Sequence, residues 1–314
     1  MVDIQKLLRA NIRKLKPYSS ARDEYSGQDG IFLDANENSL GTLEQGVLNR
    51  YPDPYQRQLK NELQKIYGVD SGNLFLGNGS DEALDLLMRA FCEPQKDEIL
   101  IMPPTYGMYS VAANINDVSI KKVPLSKDFK IQSEKVLNNV SNQTKVIMIC
   151  SPNNPTANIF DASAIQKILA EFEGIVVLDE AYVDFTDKQN GLNWLGDHNN
   201  LVVLRTFSKA WGMANIRLGM AFADQDIIKV LNKIKYPYNV NGLTIRKAHE
   251  MIQKNSIKEQ AISTIIQERK KMNKALKKIG GVREVFPSEA NFLLVRFEKA
   301  LDLFNFLKDK HIII

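Results

Sequence analysis

Five short apolar runs, each followed by a stretch of helical character, constrain this 314-residue chain more than any other feature. They fall at residues 73–76, 98–102, 145–150, 174–178 and 201–205. Several are apolar without alternation, as strands buried on both faces are. Strands alternating with helical patterns between about residues 55 and 220 predict βαβ units and a largely parallel sheet. Between the first two runs, Ser80-Asp81-Glu82 precedes Ala83, Leu84, Leu87, Met88 and Phe91 at helical spacing, which predicts a capped helix over 80–91.

Beyond residue 225 the texture changes. A helix is expected over 227–234, an interruption at Tyr236-Pro237-Tyr238-Asn239, and one long helix over 257–279. Lys and Arg at 258, 269, 270, 271, 274, 277 and 278 of that helix read as its solvated face. A strand over 291–297 and a helix over 301–308 complete a second, α+β unit. With 44% hydrophobic residues the chain can bury cores for one large and one smaller domain.

Several function classes are disfavoured. A net charge of +4, spread along the chain, does not argue for a nucleic-acid partner. No apolar run approaches the ~20 residues of a membrane span, and the first 16 residues lack the apolar core of a signal peptide. Cys92, Cys150, His198, His249 and His311 lack metal-ligand or disulfide spacing, so neither a metal site nor a disulfide framework is expected. A cytoplasmic protein is the expectation.

Ligands of open α/β sheets bind outside the carboxyl ends of the strands. All five ends here carry reactive or anion-binding residues: Gly77-Asn78-Gly79-Ser80-Asp81, Pro103-Pro104-Thr105-Tyr106, Ser151-Pro152-Asn153-Asn154, Asp179-Glu180-Ala181-Tyr182 and Thr206-Phe207-Ser208-Lys209. The first can hold an anion at a helix N-terminus or be a plain tight turn; it lacks the Gly-Lys-Ser/Thr of a nucleotide loop. Arg217 can grip a phosphate with two parallel bonds or serve a structural ion pair. Lys209 can attack an aldehyde, and Asp179 can keep a pyridine nitrogen protonated. Tyr182 and Asn154 can hold a ring oxygen, and Tyr106 can stack on a ring face.

Asn-Pro-Thr at 154–156, Asp-Glu-Ala-Tyr at 179–182, and Thr-Phe-Ser-Lys at 206–209 with Arg217 eight residues beyond resemble the fold-type I, aspartate-aminotransferase-like family of pyridoxal-phosphate enzymes. The resemblance runs over nearly the whole chain. Within that group, Pro17-Tyr18-Ser19-Ser20-Ala21-Arg22, Leu33-Asp34-Ala35-Asn36-Glu37-Asn38, Asn49-Arg50-Tyr51-Pro52-Asp53 and Ala290-Asn291-Phe292 resemble the histidinol-phosphate aminotransferases. The resemblance implies an α/β fold with a large, mostly parallel-sheet domain and a smaller α+β domain. An N-terminal arm would cover 1–45, the large domain 46–240 and the small domain 241–314.

The family's site residues carry over by position. Lys209 would hold pyridoxal 5′-phosphate as a Schiff base and then move the proton between the substrate Cα and the cofactor C4′. Asp179 would pair with the pyridine nitrogen, Asn154 and Tyr182 would bond the 3-oxygen, and Tyr106 would stack on the ring. Ser80, Asp81, Thr206, Ser208 and Arg217 would hold the phosphate. A homodimer is implied, with Tyr51 reaching the neighbour's cofactor phosphate and Tyr18 and Asn36 beside a small amino-acid phosphate substrate.

The implied reaction exchanges an amino group between histidinol phosphate and 2-oxoglutarate, giving imidazole-acetol phosphate and glutamate, in histidine biosynthesis. Two alternatives share the motif set: a threonine-phosphate decarboxylase, and a homologue that binds the cofactor with little or no turnover. Ala157 and Asn215 stand where the family commonly has glycine. Alanine at a left-handed position would cost on the order of 1 kcal/mol. The family also has a further stretch with a strand and a carboxylate-gripping arginine. This sequence stops at His311-Ile312-Ile313-Ile314, so truncation is expected, with the isoleucines reading as a strand start. Arg296, in an alternating strand, is expected to be structural rather than a substitute for that arginine.

Overall fold

The fold is taken from a computed structural model that describes residues 1–17, 31, 33–41, 48–188 and 190–314. Tyr18 lies outside the described residues. The chain opens with two short helices, α1 (Ile4–Leu7) and α2 (Ala10–Lys14), and reaches α3 (Arg57–Tyr67) and β1 (Leu74–Asn78). It continues through α4 (Gly79–Phe91), β2 (Glu98–Ile101), α5 (Met108–Ile115), β3 (Ser119–Lys122), α6 (Ser133–Leu137), β4 (Thr144–Cys150), α7 (Ala162–Glu171) and β5 (Ile175–Asp179). Then come β6 (Leu201–Thr206), β7 (Leu218–Ala223), α8 (Gln225–Ile234) and α9 (Gly242–Ile252). The last elements are α10 (Asn255–Leu276), β8 (Val282–Val285), β9 (Val295–Phe297) and α11 (Ala300–Asp309).

Seven strands form one sheet in the order β1-β7-β6-β5-β4-β2-β3. β6, β5, β4, β2 and β3 pair in parallel, while β7 is antiparallel to both β1 and β6. The five expected strands are all present, with Asp179 and Thr206 as the last residues of β5 and β6. Two further strands join them. β7 (Leu-Gly-Met-Ala-Phe-Ala) is fully buried, and β3 (Ser-Ile-Lys-Lys) is a half-exposed edge.

Alternate strand residues face two helical layers, which is why the central strands are apolar throughout. Ile175 and Val177 of β5 join a core with α1, α4, α5 and α8, through Ile4, Leu84, Ala112 and Ile227. Val176 and Leu178 join the opposite core with α3, α6, α7 and α9, through Leu59, Val136, Ile165 and Ala248. Each such valine, leucine or isoleucine side chain contributes ~1.5–3 kcal/mol of burial, so the strand termini rest on a rigid frame. α9, placed by sequence in the second unit, instead packs on α3.

β8 and β9 form a separate antiparallel pair. Only residues 295–297 of the strand expected over 291–297 are in that ladder, and Ile312 to Ile314 are exposed and form no strand. Arg296 bonds Glu284 across the pair at 2.7 Å and lies 5.0 Å from the Phe286 ring centroid, as a structural residue would. The expected solvated face of α10 needs correction at two positions. Lys258 is buried over the Trp211 indole and 3.6 Å from Asp184, and Arg269 donates to the Ala290 carbonyl at 2.6 Å. Both residues share the helix face of Ile262 and Ile266, which packs behind Tyr182. Among the described residues no helix is long and apolar enough to cross a membrane.

Candidate active site

The C-terminal ends of β1, β4, β5 and β6 and the start of β7 converge on one cavity of about 140 Å³. Ser80, Asp81, Tyr106, Asn154, Asp179, Tyr182, Thr206, Ser208, Lys209 and Arg217 all line it, together with Gly79, Cys150 and Ala181. The parallel strands deliver most of these groups. The reversed β7 adds Arg217, which precedes its first residue.

One end of the cavity is built for an anion. α4 begins at Gly79 with no side chain capping its first turn, so its N–H groups present the positive end of a thirteen-residue helix. Gly79 adopts φ +70°, and a Cβ there would lie 2.8 Å from Arg217 Nη2. Its own N–H donates to the Arg217 carbonyl at 2.7 Å. Behind the turn, a Cβ on Gly219 would fall 2.1 Å from the Gly79 carbonyl carbon, so only glycine lets β7 approach. Arg217 Nη1 donates to Ser208 Oγ at 3.4 Å and Nη2 lies 3.8 Å from Asp81 Oδ2. Nη1 also donates to the Ala214 carbonyl at 3.2 Å, and the guanidinium remains 53% exposed.

Deeper in, Asp179 is almost completely buried and accepts from Tyr109 Oη at 2.9 Å and from the Ala181 N–H at 3.1 Å. Burial pushes its carboxyl up to about 6, against the lowering effect of those two bonds. Asn154 Nδ2 donates to Tyr182 Oη at 3.3 Å, and burial raises the Tyr182 phenol to about 12. Lys209 Nζ stands 5.2 Å from the centroid of the Tyr182 ring. Tyr106 flanks the cavity with its ring held edge-on by Tyr109, 5.6 Å between centroids.

Beneath this layer lies a buried ion pair that the sequence reading did not single out. Arg205 Nη2 meets Glu180 Oε2 at 2.8 Å, Glu180 Oε1 accepts the Gly191 N–H at 2.6 Å, and Arg205 also donates to Asn190. The pair ties β5 to β6 one residue below Thr206 and one beyond Asp179. Ala157 adopts φ +62°, the conformation for which glycine is usual, whereas Asn215 lies in a turn of 3₁₀ helix without a positive φ. Two expected residues stand apart from the cavity lining. Tyr51 is 51% exposed and stacks on Tyr238 at 4.5 Å, and the exposed Asn36 precedes Glu37, which bonds Arg50 and the Tyr51 N–H.

The donor set suits a phosphorylated pyridine aldehyde: a cationic, N–H-rich pocket at one end, a buried carboxylate at the other, and a phenol–amide pair and an amine between them. A larger cleft of about 810 Å³ opens beside α10. There Lys188 and Arg269 are already engaged by Glu289 and backbone carbonyls.

A single sheet covered by helices on both faces, with this constellation along its carboxyl edge, fits an enzyme of the pyridoxal-phosphate type, and the chain belongs to the aminotransferase class I and II family, whose model matches residues 24–314. Enzymes of this family use pyridoxal phosphate. The chain is similar to histidinol-phosphate aminotransferases: 52% identical to that of Bacteroides fragilis over 100% of this chain and 90% of the relative. For the Cytophaga hutchinsonii enzyme the identity is 50%, over 99% of this chain and 89% of the relative. The histidinol-phosphate aminotransferase of Sinorhizobium meliloti, solved in complex with pyridoxal-5′-phosphate, shares the fold with a TM-score of 0.79 at 22% identity. That match covers 89% of this chain and 80% of the other.

Proposed function

We propose that this chain is an aminotransferase that exchanges an amino group between histidinol phosphate and 2-oxoglutarate. The convergence of ten expected residues on one cavity carries the reading, and relatives at half identity over nearly the full chain supply the substrate. Pyridoxal phosphate, when bound, supplies an aldehyde that captures amines and a protonated ring that withdraws electrons from the substrate Cα.

In this reading Arg217, Ser80, Thr206, Ser208 and the first N–H groups of α4 hold the phosphate, beside Asp81. Asp179 keeps the ring nitrogen protonated. Asn154 and Tyr182 fix the ring oxygen, and Tyr106 covers one ring face. Lys209 anchors the cofactor through Nζ and, once displaced by substrate, carries the proton at Cα. Asn36 and Tyr18 contribute to substrate binding from the N-terminal arm. A homodimer is part of the reading: Tyr51, exposed and stacked on Tyr238, is suited to reach a neighbour's phosphate. Two unpaired, buried cysteines suit a cytoplasmic setting.

Purified protein given histidinol phosphate and 2-oxoglutarate is expected to form glutamate, and Lys209→Ala to form none. Borohydride reduction followed by peptide mass spectrometry should find the cofactor on Lys209. Carbon dioxide released from phosphothreonine, with no glutamate from histidinol phosphate, would overturn the assignment.

A further inference from the structure

Among the described residues Tyr109 is the one buried phenol that touches Asp179. It lies on the first turn of α5, one helical turn after Tyr106, with 0% exposure. Its hydroxyl donates to Asp179 Oδ2 at 2.9 Å, while the edge of its ring meets Tyr106. A carboxylate at the foot of a cofactor cavity faces a conflict. Burial favours the neutral acid, yet pairing with a ring nitrogen requires the ion. The ionisable groups around Asp179 do little to resolve it. Cys150 and Tyr182 are held neutral by burial, and the charges of Asp81 and Glu180 push against the ion. Among the described residues two donors favour the ion: the Ala181 N–H, fixed by the backbone, and the Tyr109 hydroxyl, the one side-chain donor.

We infer that Tyr109 is a positioning residue that acts through Asp179, its hydroxyl bond keeping Asp179 a weak enough base that the proton stays on the ring nitrogen of the bound cofactor. The inference rests on the assignment of Asp179 to that nitrogen. A hydrogen bond to a charged group is strong enough to move such an equilibrium by about a factor of ten or more. Without it the carboxylate becomes more basic and draws the proton off the ring. The electron-withdrawing form of the cofactor is then less populated.

The test is ¹⁵N NMR of holoenzyme carrying cofactor labelled at the ring nitrogen, in parent, Tyr109→Phe and Asp179→Asn proteins. Phenylalanine keeps the edge contact with Tyr106, so the hydroxyl is tested alone. The parent signal should lie in the protonated range, Asp179→Asn should move it to the neutral range, and Tyr109→Phe should fall between. The kcat of Tyr109→Phe should drop about tenfold with little change in the KM for histidinol phosphate. A Tyr109→Phe signal that coincides with the parent while Asp179→Asn shifts would overturn the role of Tyr109. No shift in Asp179→Asn would instead remove the Asp179 assignment and the inference with it. Should Tyr109→Phe not fold, 3-fluorotyrosine at position 109, a stronger donor, is expected to raise the pH at which the ring-nitrogen signal moves to the neutral range; an unchanged or lower pH would sink the inference.

Discussion

Asp179→Asn is expected to stabilise the cofactor-free protein while disabling it. In the folded chain the Asp179 carboxyl titrates at about 6, against an ordinary value of 3.8. A carboxyl whose folded value is raised binds its proton more tightly folded than unfolded, so ionisation works against folding as pH rises between the two values. The difference of about two units corresponds to about 3 kcal/mol at neutral pH, of which about 1 kcal/mol has appeared by pH 4.5. Asparagine never ionises and escapes this cost. Its amide NH₂ must face one of the two donors that Asp179 accepts from, Tyr109 Oη or the Ala181 N–H, losing about 1 kcal/mol. The net gain should therefore be about 2 kcal/mol at pH 7.5 and near zero at pH 4.5. Urea titration of cofactor-stripped protein at both pH values measures it. An Asp179→Asn protein no more stable than the parent at pH 7.5, or equally stabilised at both pH values, refutes the reasoning.

Three other perturbations probe the frame around the cavity. Glu180→Ala leaves the Arg205 guanidinium buried and unpaired and should cost ~3–5 kcal/mol in urea unfolding, whereas the double change Glu180→Leu/Arg205→Met should cost far less. Gly219→Ala drives a methyl into the Gly79 backbone, where nothing can yield; cofactor affinity and stability should fall together, measured by fluorescence titration and thermal melting. Arg217→Lys keeps the charge but loses the planar fork, and should weaken cofactor binding about tenfold, with a tryptophan-quenching titration as the readout.

The strands on which the site stands were legible because burial on both faces leaves unbroken apolar runs such as Val146 to Cys150. β7 escaped because Gly219, Ala221 and Ala223 dilute its apolar character and none of its residues is β-branched. β3 escaped because an edge strand with two lysines has little pattern to read. The cavity residues were legible through strand ends and motif resemblance together. Tyr109 was not, since a tyrosine inside an apolar helix reads as core; its place three residues after Tyr106 was the available signal. Lys258 and Arg269 were assigned to solvent although they fall eleven residues apart, three helical turns, on the stripe of Ile262 and Ile266. Tyr51 and Asn36 lie away from the cavity lining; for Tyr51 the proposed partner is on a second chain, and for Asn36 it is the substrate.

The reversed strand β7 gives the loop between β6 and β7 a particular property. Because β7 runs back alongside β6, with Thr206 opposite Gly219, the chain leaves and re-enters the sheet at one edge. Lys209 and Arg217 therefore ride on a single short tether whose two ends are clamped by neighbouring strands. The spacing between the amine and the guanidinium proposed to hold the phosphate is thereby set by loop length rather than by the assembly of distant elements. Inserting or deleting one residue between Gly212 and Asn215 would change that spacing without touching either group, so in the proposed reading the loop is a ruler for the cofactor.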